Sequence, residues 1–171
     1  MNTIELNKFL RDRAKELNLC NKWYKEWNLN GDRQYLIDLY LNGYDFTIYN
    51  DWPKVSFIKE NFDKELLRKN GILADDNYCF ANKKIVMLLG NSTSEVRNSG
   101  WNVGTCFVRH SSKAIITAKN MTFTTVHVYD NAEVEIEVKD KANVVVITYS
   151  DNVKVTAPKS VKVKRNTTFF D

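Results

Sequence analysis

Residues 103–165 decide the fold of this chain, and they read VGTCFVRHSSKAIITAKNMTFTTVHVYDNAEVEIEVKDKANVVVITYSDNVKVTAPKSVKVKR. Runs in which apolar and polar residues alternate return about every ten positions, with a polar turn between successive runs. In the clearest run, Ala132, Val134, Ile136 and Val138 are separated by glutamates. Because successive side chains of a strand point to opposite faces, this period of two predicts half-buried β-strands and excludes a helix.

The runs also form a longer repeat of about twenty residues. Val134 and Ile136 lie twenty positions after Ala114 and Ile116. Such a repeat is typical of a β-solenoid, in which each coil pairs with its neighbours and the inward apolar residues stack into one narrow core. The sequence therefore predicts an α+β fold: a small N-terminal helical domain followed by a short β-solenoid (β-helix) of about three to four coils. An antiparallel meander or sandwich is the alternative, because regularly spaced turns are equally typical of it.

The repeat makes a prediction about the outward face of the strands. Lys113, Glu133 and Lys154 are separated by twenty and twenty-one positions, so they should lie above one another. Neighbouring strands favour such an alternation of charge.

The repeat also contains one irregularity. Inward positions are even-numbered through Val144 and odd-numbered from Val153 onward. This change predicts an extra residue within the apolar run 144–147, as a bulge or a looser corner. Asparagines between the runs are expected to adopt the left-handed conformation of tight turns: they are Asn131, Asn143 and Asn152.

A family resemblance rests on residues 126–138 and 145–155, which contain runs of the type V-x-V-x-D-N-A-x-V-x-I. These runs resemble the degenerate ten-residue and twenty-residue β-solenoid repeats of proteins from gut-dwelling anaerobic bacteria and their phages. They are less closely similar to bactofilin-type filament domains. The resemblance implies a scaffolding or binding role in a phage or mobile-element accessory protein, either a virion component or an inhibitor of a host defence system. It carries over no catalytic residue.

Three segments are predicted along the chain: a helical head in residues 1–76, a connecting strand and first coil in residues 77–102, and the solenoid repeats in residues 103–171. Apolar residues at helical spacing, separated by stop signals, predict four or five short helices in the head. Asn2 and Glu5 fit a capping box at the start of the first helix.

Aromatic residues are concentrated in the head, which contains 12 of the 21 in the chain. Part of this set should form the core, and the remainder is expected to form an exposed anchor patch of the kind that dominates protein interfaces. The candidate partner-binding residues are Trp23, Tyr24, Trp27 and Trp52, together with Phe169 and Phe170 near the C-terminus.

A basic cluster precedes the C-terminus and consists of Lys159, Lys162, Lys164 and Arg165. Such clusters can neutralise phosphates, but the aromatic residues that would stack on single strands are missing from this segment. Charged side chains also protect edge strands from unwanted pairing, and a net charge of +4 is too small to indicate a polyanionic partner. A nucleic-acid partner is therefore not expected.

No catalytic residue, metal site or cofactor is predicted. Glu133, Glu135 and Glu137 could supply paired carboxylates, but the lysines expected beside Glu133 favour a solvated face. His110 and His127 fall in different columns of the repeat, with His110 at a corner and His127 pointing outward, so they should not share a metal.

The cysteines, the hydropathy and the N-terminal pattern indicate the state of the thiols and the cellular location. Cys20, Cys79 and Cys106 are odd in number and widely spaced, which predicts free buried thiols rather than disulfides. No apolar stretch has the length of a membrane span, and the N-terminus lacks the pattern of a signal peptide. The expected location is the interior of a host cell (cytoplasmic) or a virion, without a membrane partner.

These observations predict a non-enzymatic interaction or scaffold protein that binds another protein. Two alternatives remain open. A carbohydrate-binding or carbohydrate-active β-helix would show acidic and aromatic residues together on a concave face. A self-polymerising, bactofilin-like scaffold would form homo-oligomers through the ends of the solenoid.

Overall fold

A computed structural model of the protein describes residues 1–166. The chain divides into two compact units, Met1–Asp63 and Lys64–Asp171. We call the first the helical unit and the second the solenoid unit. The division precedes the predicted end of the head at residue 76, because the sixth helix and the first strand belong with the solenoid.

The helical unit consists of five helices: α1 (Thr3–Glu16), α2 (Asn21–Glu26), α3 (Arg33–Asn42), α4 (Tyr44–Tyr49) and α5 (Val55–Asn61). Helix α1 begins with the predicted capping box, in which the Glu5 N–H donates to Asn2 Oδ1 and the Asn2 N–H donates to Glu5 Oε2, both at 3.0 Å. Helix α3 ends at Gly43, and α4 starts at the next residue. The apolar spacing of the sequence did not indicate α4, which is only six residues long.

The core of the helical unit is formed by leucines and large rings: Leu6, Leu10 and Leu36, with Trp27, Tyr35, Leu39, Trp52, Phe57 and Phe62 packed against them. Asn7 is fully buried among them; its amide donates to Gly31 O at 2.6 Å and accepts from Trp27 Nε1 at 3.1 Å. A Cβ at Gly31 would lie 2.1 Å from the Tyr35 ring, so this close approach requires glycine.

The described part of the solenoid unit contains helix α6 (Lys64–Lys69) and eleven strands. The strands are β1 (Ile72–Ala74), β2 (Asn77–Ala81), β3 (Ile85–Leu89), β4 (Thr93–Asn98), β5 (Val103–Val108), β6 (Lys113–Ala118), β7 (Phe123–Val128), β8 (Glu133–Val138), β9 (Asn143–Thr148), β10 (Lys154–Thr156) and β11 (Lys162–Arg165). They form two parallel sheets. Sheet A has the order β1-β3-β5-β7-β9-β11, and sheet B has the order β10-β8-β6-β4-β2.

Successive coils stack with a register of twenty residues through most of the unit. Val103 pairs with Phe123 across β5 and β7, and Lys113 pairs with Glu133 across β6 and β8. Every strand pair is parallel, as it must be when each coil repeats the path of the one before. The predicted α+β fold with a short β-solenoid is confirmed, the solenoid has about four turns where about three to four coils were predicted, and the antiparallel alternative is wrong.

The core of the solenoid lies between the two sheets. It contains the inward side chains of consecutive coils, among them Val108, Ile116, Val126, Val128, Ile136 and Val146. Val134 pairs directly with Val155, and Ile136 is buried, as the alternation of the sequence predicted. Branched aliphatic side chains fill this space because they pack closely on a pleated surface.

The corners are closed by left-handed residues that recur every ten positions: Gly90, Gly100, His110, Asn120, Asp130 and Asp140. Side chains of these residues satisfy the backbone of the preceding coil. The Asp130 carboxylate accepts the His110 N–H at 2.8 Å, and His110 Nδ1 accepts the Gly90 N–H at 2.9 Å. The expectation that Asn131, Asn143 and Asn152 would be left-handed is wrong, because none of the three has a positive φ. The left-handed residue comes one position before Asn131, at Asp130, and Asn143 already opens β9.

The extra residue of the repeat lies in a corner and not in the apolar run. Residues 143–148 form a regular strand that pairs with β7 at an offset of twenty. Across β8 and β10 the offset rises to twenty-one, since Glu133 pairs with Lys154. The additional residue therefore lies between Thr148 and Lys154. A corner accepts it without loss of strand hydrogen bonds, which a bulge inside β9 would disrupt.

An ion-pair network joins α6 to the first coil of the solenoid. Helix α6 packs against β1, and the Asp76 side chain, only 6% exposed, lies 2.8 Å from Arg68 Nε and 2.6 Å from Lys64 Nζ. Burial disfavours the charged form of Asp76, but hydrogen bonds from Arg68 and Lys64 outweigh it and lower its pKa to about 2. These contacts place α6 in the solenoid unit.

Adjacent isoleucines of β6 test the solenoid core. Ile116 is fully buried and Ile115 is 42% exposed. We expect Ile116→Ala to lower the free energy of unfolding by about 3 kcal/mol, because it leaves a cavity in a narrow core. Ile115→Ala should change it by less than about 1 kcal/mol. Chemical denaturation followed by circular dichroism measures both, and equal effects would contradict this assignment of faces.

Asp76 should make stability depend on acid pH. Its pKa is lower in the folded chain than in the unfolded one, so its contribution is fully present above about pH 4 and is lost as the pH falls through about 2. We expect Asp76→Asn to lower the free energy of unfolding by roughly 2 kcal/mol at pH 6 and to have little effect near pH 2. Denaturant titrations at both pH values measure the difference. Glu135→Gln, on an exposed strand position, is the control, and an Asp76→Asn effect that persists at pH 2 would contradict the ion-pair explanation.

Candidate functional site

Two of the aromatic residues predicted to bind a partner lie against the core of the helical unit. Trp27 and Trp52 are half-buried and pack on its leucines. The Trp27 indole donates to Asn7, and the Trp52 ring meets Phe46 edge-to-face with centroids 6.3 Å apart. Both side chains therefore contribute to the fold of the unit.

The other two predicted aromatic residues are also half-buried. The Trp23 ring lies so close to Gly43 that a Cβ there would be 3.3 Å from it. Two cations cover Tyr24: the Arg11 guanidinium carbon is 4.8 Å and Lys15 Nζ is 5.5 Å from the ring centroid. A role in partner binding stays a prediction for all four residues, and the most exposed aromatic side chain lies in the other unit.

The residues of the predicted basic patch differ in whether they form an ion pair. Lys162 and Lys164 alternate along β11 and point to one face, and Lys159 is exposed in the loop before this strand. Arg165 forms an ion pair with Asp151 at 2.9 Å. Among the described residues of this patch, the three lysines form no ion pair and Arg165 forms one.

Strands β10 and β11 are the outermost strands described at the C-terminal end of the two sheets, and most of their residues are exposed. Self-association through this end stays a prediction. Phe169 and Phe170, predicted either to cap this end or to bind a partner, lie outside the described residues.

The outward face of sheet B carries the predicted charge ladder. Glu133 Oε1 lies 2.8 Å from Lys154 Nζ, and Glu133 Oε2 lies 3.2 Å from Lys113 Nζ. Hydrogen bonds from Lys154 and Lys113 lower the pKa of Glu133. A carboxylate held ionised in this way is poorly suited to donate a proton as a general acid.

A shallow groove of about 510 Å³ crosses the same face. Polar and charged side chains dominate its lining, including Glu95, Glu133 and Glu135, and Ile115 is its largest apolar side chain. Of the described residues that line the groove, none is aromatic. The groove thus has the acidic residues expected of a carbohydrate site but, among the described residues, not the aromatic ones.

The two histidines occupy the predicted positions. His110 lies at a corner, and His127 points outward from sheet A, where its ring stacks on Phe107 with centroids 4.9 Å apart. His127 Nδ1 lies 2.9 Å from the Tyr149 hydroxyl. Burial lowers the pKa of His127 to about 4, so the imidazole is neutral at physiological pH.

All three cysteines are free, as predicted, but only Cys106 is buried. The expectation of buried thiols is wrong for Cys20 and Cys79, which are exposed. Burial raises the pKa of the Cys106 thiol to about 12. Among residues 1–166, His, Cys, Asp and Glu side chains form no group of three or more that could hold a metal ion. No helix in that range is long and apolar enough to span a membrane.

Four exposed apolar side chains meet at one corner of the solenoid, and we call them the corner patch: Trp101, Val103, Met121 and Phe123. Val103 and Phe123 are directly paired across β5 and β7. Met121 lies one coil above Trp101, and its N–H donates to Gly100 O at 3.1 Å. Trp101 is 86% exposed and Val103 is 66% exposed, values that are unusual for large apolar side chains on an ordered backbone.

The fold does not require apolar residues at this corner. The solenoid has an equivalent corner ten residues further on, where Trp101 and Val103 are replaced by Ser111 and Lys113. In the next coil, Met121 and Phe123 correspond in the same way to Asn131 and Glu133. The opposite corner is therefore polar and closed by the charge ladder. Since both corners are built around a left-handed residue, this corner geometry accepts polar residues at the positions of the corner patch.

The sequence contained a signal for the corner patch. The twenty-residue repeat places Trp101 under Met121 and Val103 under Phe123, and all four positions are odd-numbered and outward in the alternation. An apolar residue at an outward position in two consecutive coils is the pattern that identifies the patch. The density of aromatic residues in the head drew the sequence analysis to that unit, whose exposed rings are Phe9, Tyr44 and Tyr49, and away from Trp101, the most exposed aromatic side chain of the described residues.

Comparison of the chain with protein-family models, curated proteins and solved structures finds no match. The function of the site is therefore argued from its geometry.

The protonation of His127 can be tested directly. Because the half-buried imidazole lies between the rings of Phe107 and Tyr149 and is partly shielded from water, its ring resonances should stay constant as the pH falls from 7.5 to 5 and should titrate near pH 4. The unfolded chain binds this proton at higher pH than the folded chain, so His127 should reduce stability as the pH falls below about 6.5. A pH titration by NMR measures the midpoint, with His127→Gln to assign the resonance. A midpoint near 6.5 would contradict the burial of this ring.

Proposed function

We propose that this protein is a non-enzymatic protein-interaction module that docks another protein on the corner patch. The observation that carries the proposal is the exposure of Trp101, Val103, Met121 and Phe123 at a corner where the fold itself accepts polar residues. Large apolar residues in contact with each other on a surface mark interaction sites more often than scattered ones do.

The composition of the corner patch suits an interface. Trp and Phe are enriched among the residues that dominate binding energy, and Met adapts its shape to different partners. Burial of such side chains on binding contributes about 25 cal/mol for each Å² of apolar surface removed from water.

The backbone beneath the patch is well ordered by the solenoid. The Phe123 N–H donates to Asn102 O at 2.9 Å, and the Met121 N–H donates to Gly100 O. Strands β5 and β7 pair along their full length. Little backbone entropy is lost on docking when the supporting segment is already fixed, which favours affinity. The solenoid thus serves as a rigid support for the patch.

The biological role and the cellular location of this interaction rest on different grounds from the patch. A role in a virion, or as an inhibitor of a host defence system, is supported only by the resemblance of residues 126–138 and 145–155 to phage and gut-bacterial repeats. It stays a prediction, as does location in a host cell interior.

The proposed function is tested by substitution at the patch. We expect the double variant Trp101→Ser/Phe123→Ser to lose binding of a partner that the wild-type chain retains from an extract of its native cells. With the partner then purified, the dissociation constant measured by titration calorimetry should rise at least roughly tenfold, as expected for loss of interface anchors.

The matched control is Ile115→Ser, which removes from the outward face of sheet B an apolar side chain as exposed as Phe123. Its affinity for the purified partner should equal that of the wild type. Thermal unfolding should show that all three chains are folded. Unchanged affinity in the double variant, or a larger loss in Ile115→Ser, would overturn the proposal.

A further inference from the structure

Three lysines lie on the same corner as the patch, and we call them the lysine rim: Lys119, Lys139 and Lys141. Lys119 precedes Met121 by two residues, and Lys141 lies one coil above Met121 in the stack. The Lys119 and Lys139 N–H groups each donate to the coil below, to Asn98 O and Ala118 O, at 2.9 Å. The same position of the corner is therefore occupied by apolar side chains, Trp101 and Met121, in two coils and by Lys141 in the next coil toward the C-terminus.

The charges of the lysine rim are not neutralised as those of the opposite corner are. Within residues 1–166, Lys119 and Lys141 form no ion pair. Lys139 Nζ lies 3.9 Å from Glu137 Oε2, and both side chains are about half exposed, so this pair is weak. On the opposite corner, Lys113 and Lys154 both contact Glu133. Within residues 1–166, Lys119 and Lys141 thus adjoin the corner patch without an ion-pair partner, and Lys139 has only a weak one.

We infer that the segment that docks on the corner patch is acidic: a peptide segment of another protein with a large apolar anchor flanked by carboxylates. The inference rests on the proposed function and specifies the chemistry of its partner. The anchor would cover Trp101 and Phe123, and its carboxylates would meet the lysine rim. Complementary charge at the edge of an apolar contact accelerates encounter and excludes partners of the wrong charge.

The surroundings of the rim favour a short peptide over a continuous polyanion. The exposed carboxylates of Glu137 and Asp140 lie between and beside the rim lysines, and Asp140 Oδ2 accepts the Asn120 N–H at 3.2 Å. A phosphate backbone or an anionic lipid surface would place negative charge against these carboxylates. A peptide can position each carboxylate individually. Two of the four patch side chains, Val103 and Met121, also have no ring on which a base could stack.

Three fluorescein-labelled peptides of equal length serve as probes in fluorescence anisotropy with the full chain. The first has Leu and Phe anchors flanked by Asp and Glu, the second replaces the acidic residues by Lys, and the third keeps the acidic residues and replaces the anchors by Ser. We expect the first peptide to bind at least roughly tenfold more tightly than either of the others at low salt, and the advantage over the second should fall as salt screens the charges.

Charge reversal of the rim provides the decisive variant. Lys119→Glu/Lys139→Glu/Lys141→Glu should invert the order of the first two peptides, so that the basic peptide binds more tightly. Lys8→Glu/Lys22→Glu/Lys159→Glu changes the net charge equally at exposed positions outside the corner, and it should keep the wild-type order. Inversion in the rim variant alone supports the inference.

Other outcomes overturn the inference. Equal binding of the acidic and basic peptides would show an apolar site without charge selection and would leave the proposed function standing. Binding of none of the peptides, or tighter binding of a labelled oligothymidylate or of vesicles of phosphatidylserine and phosphatidylcholine, would also reject it. Failure of the proposed function is recognised separately, because Trp101→Ser/Phe123→Ser leaves the rim charges intact.

Discussion

The parallel pairing of each coil with the next, at an offset of twenty residues, is the constraint on which the solenoid depends. Through most of the unit it places residue 103 against residue 123 and residue 113 against residue 133, so that equivalent positions of successive coils lie directly above one another. Inward aliphatic side chains stack because this register keeps them in one column. The same register brings Glu133 between two lysines and stacks the members of the corner patch. A shift by one residue would turn every inward side chain of a strand outward.

The register is maintained at the corners. A left-handed residue is needed every ten positions, and Gly, Asn, Asp and, at one corner, His occupy these positions. Where the residue has a side chain, as in His110 and Asp130, that side chain accepts an N–H from the neighbouring coil. The regular series of left-handed residues ends at Asp140, and the offset changes at the following corner. The twenty-residue register thus extends as far as the corners have a left-handed residue at the expected position.

The sequence predicted the parts of the structure that repeat. Alternation in residues 132–138 identified strand, face and core, and the twenty-residue repeat identified the ladder at Glu133. The non-repeating parts were harder. Nothing in the local pattern indicates that Arg68 of α6 pairs with Asp76 of the first coil, so the sequence predicts a helical head that extends to residue 76. The sequence also did not indicate which aromatic side chains of the head are buried, because composition gives their number and not the way they point. In the structure several of these rings pack around Leu6, Leu10 and the buried Asn7.

The corner patch shows how a solenoid can separate stability from recognition. Inward residues such as Ile116 and Val126 hold the coils together, and outward corner residues contribute little to the core. The outward columns are consequently free to vary, and the two corners of this protein have done so in different ways. One carries Ser111, Asn131 and a charge ladder, and the other carries Trp101 and Met121 beside lysines that are at most weakly paired within residues 1–166. An exposed tryptophan on a support that does not need it would be a liability for solubility unless a partner covers it. The difference between two structurally equivalent corners is therefore the feature of this molecule from which an interaction can be argued, and the asymmetry of charge between them is the basis for proposing an acidic partner.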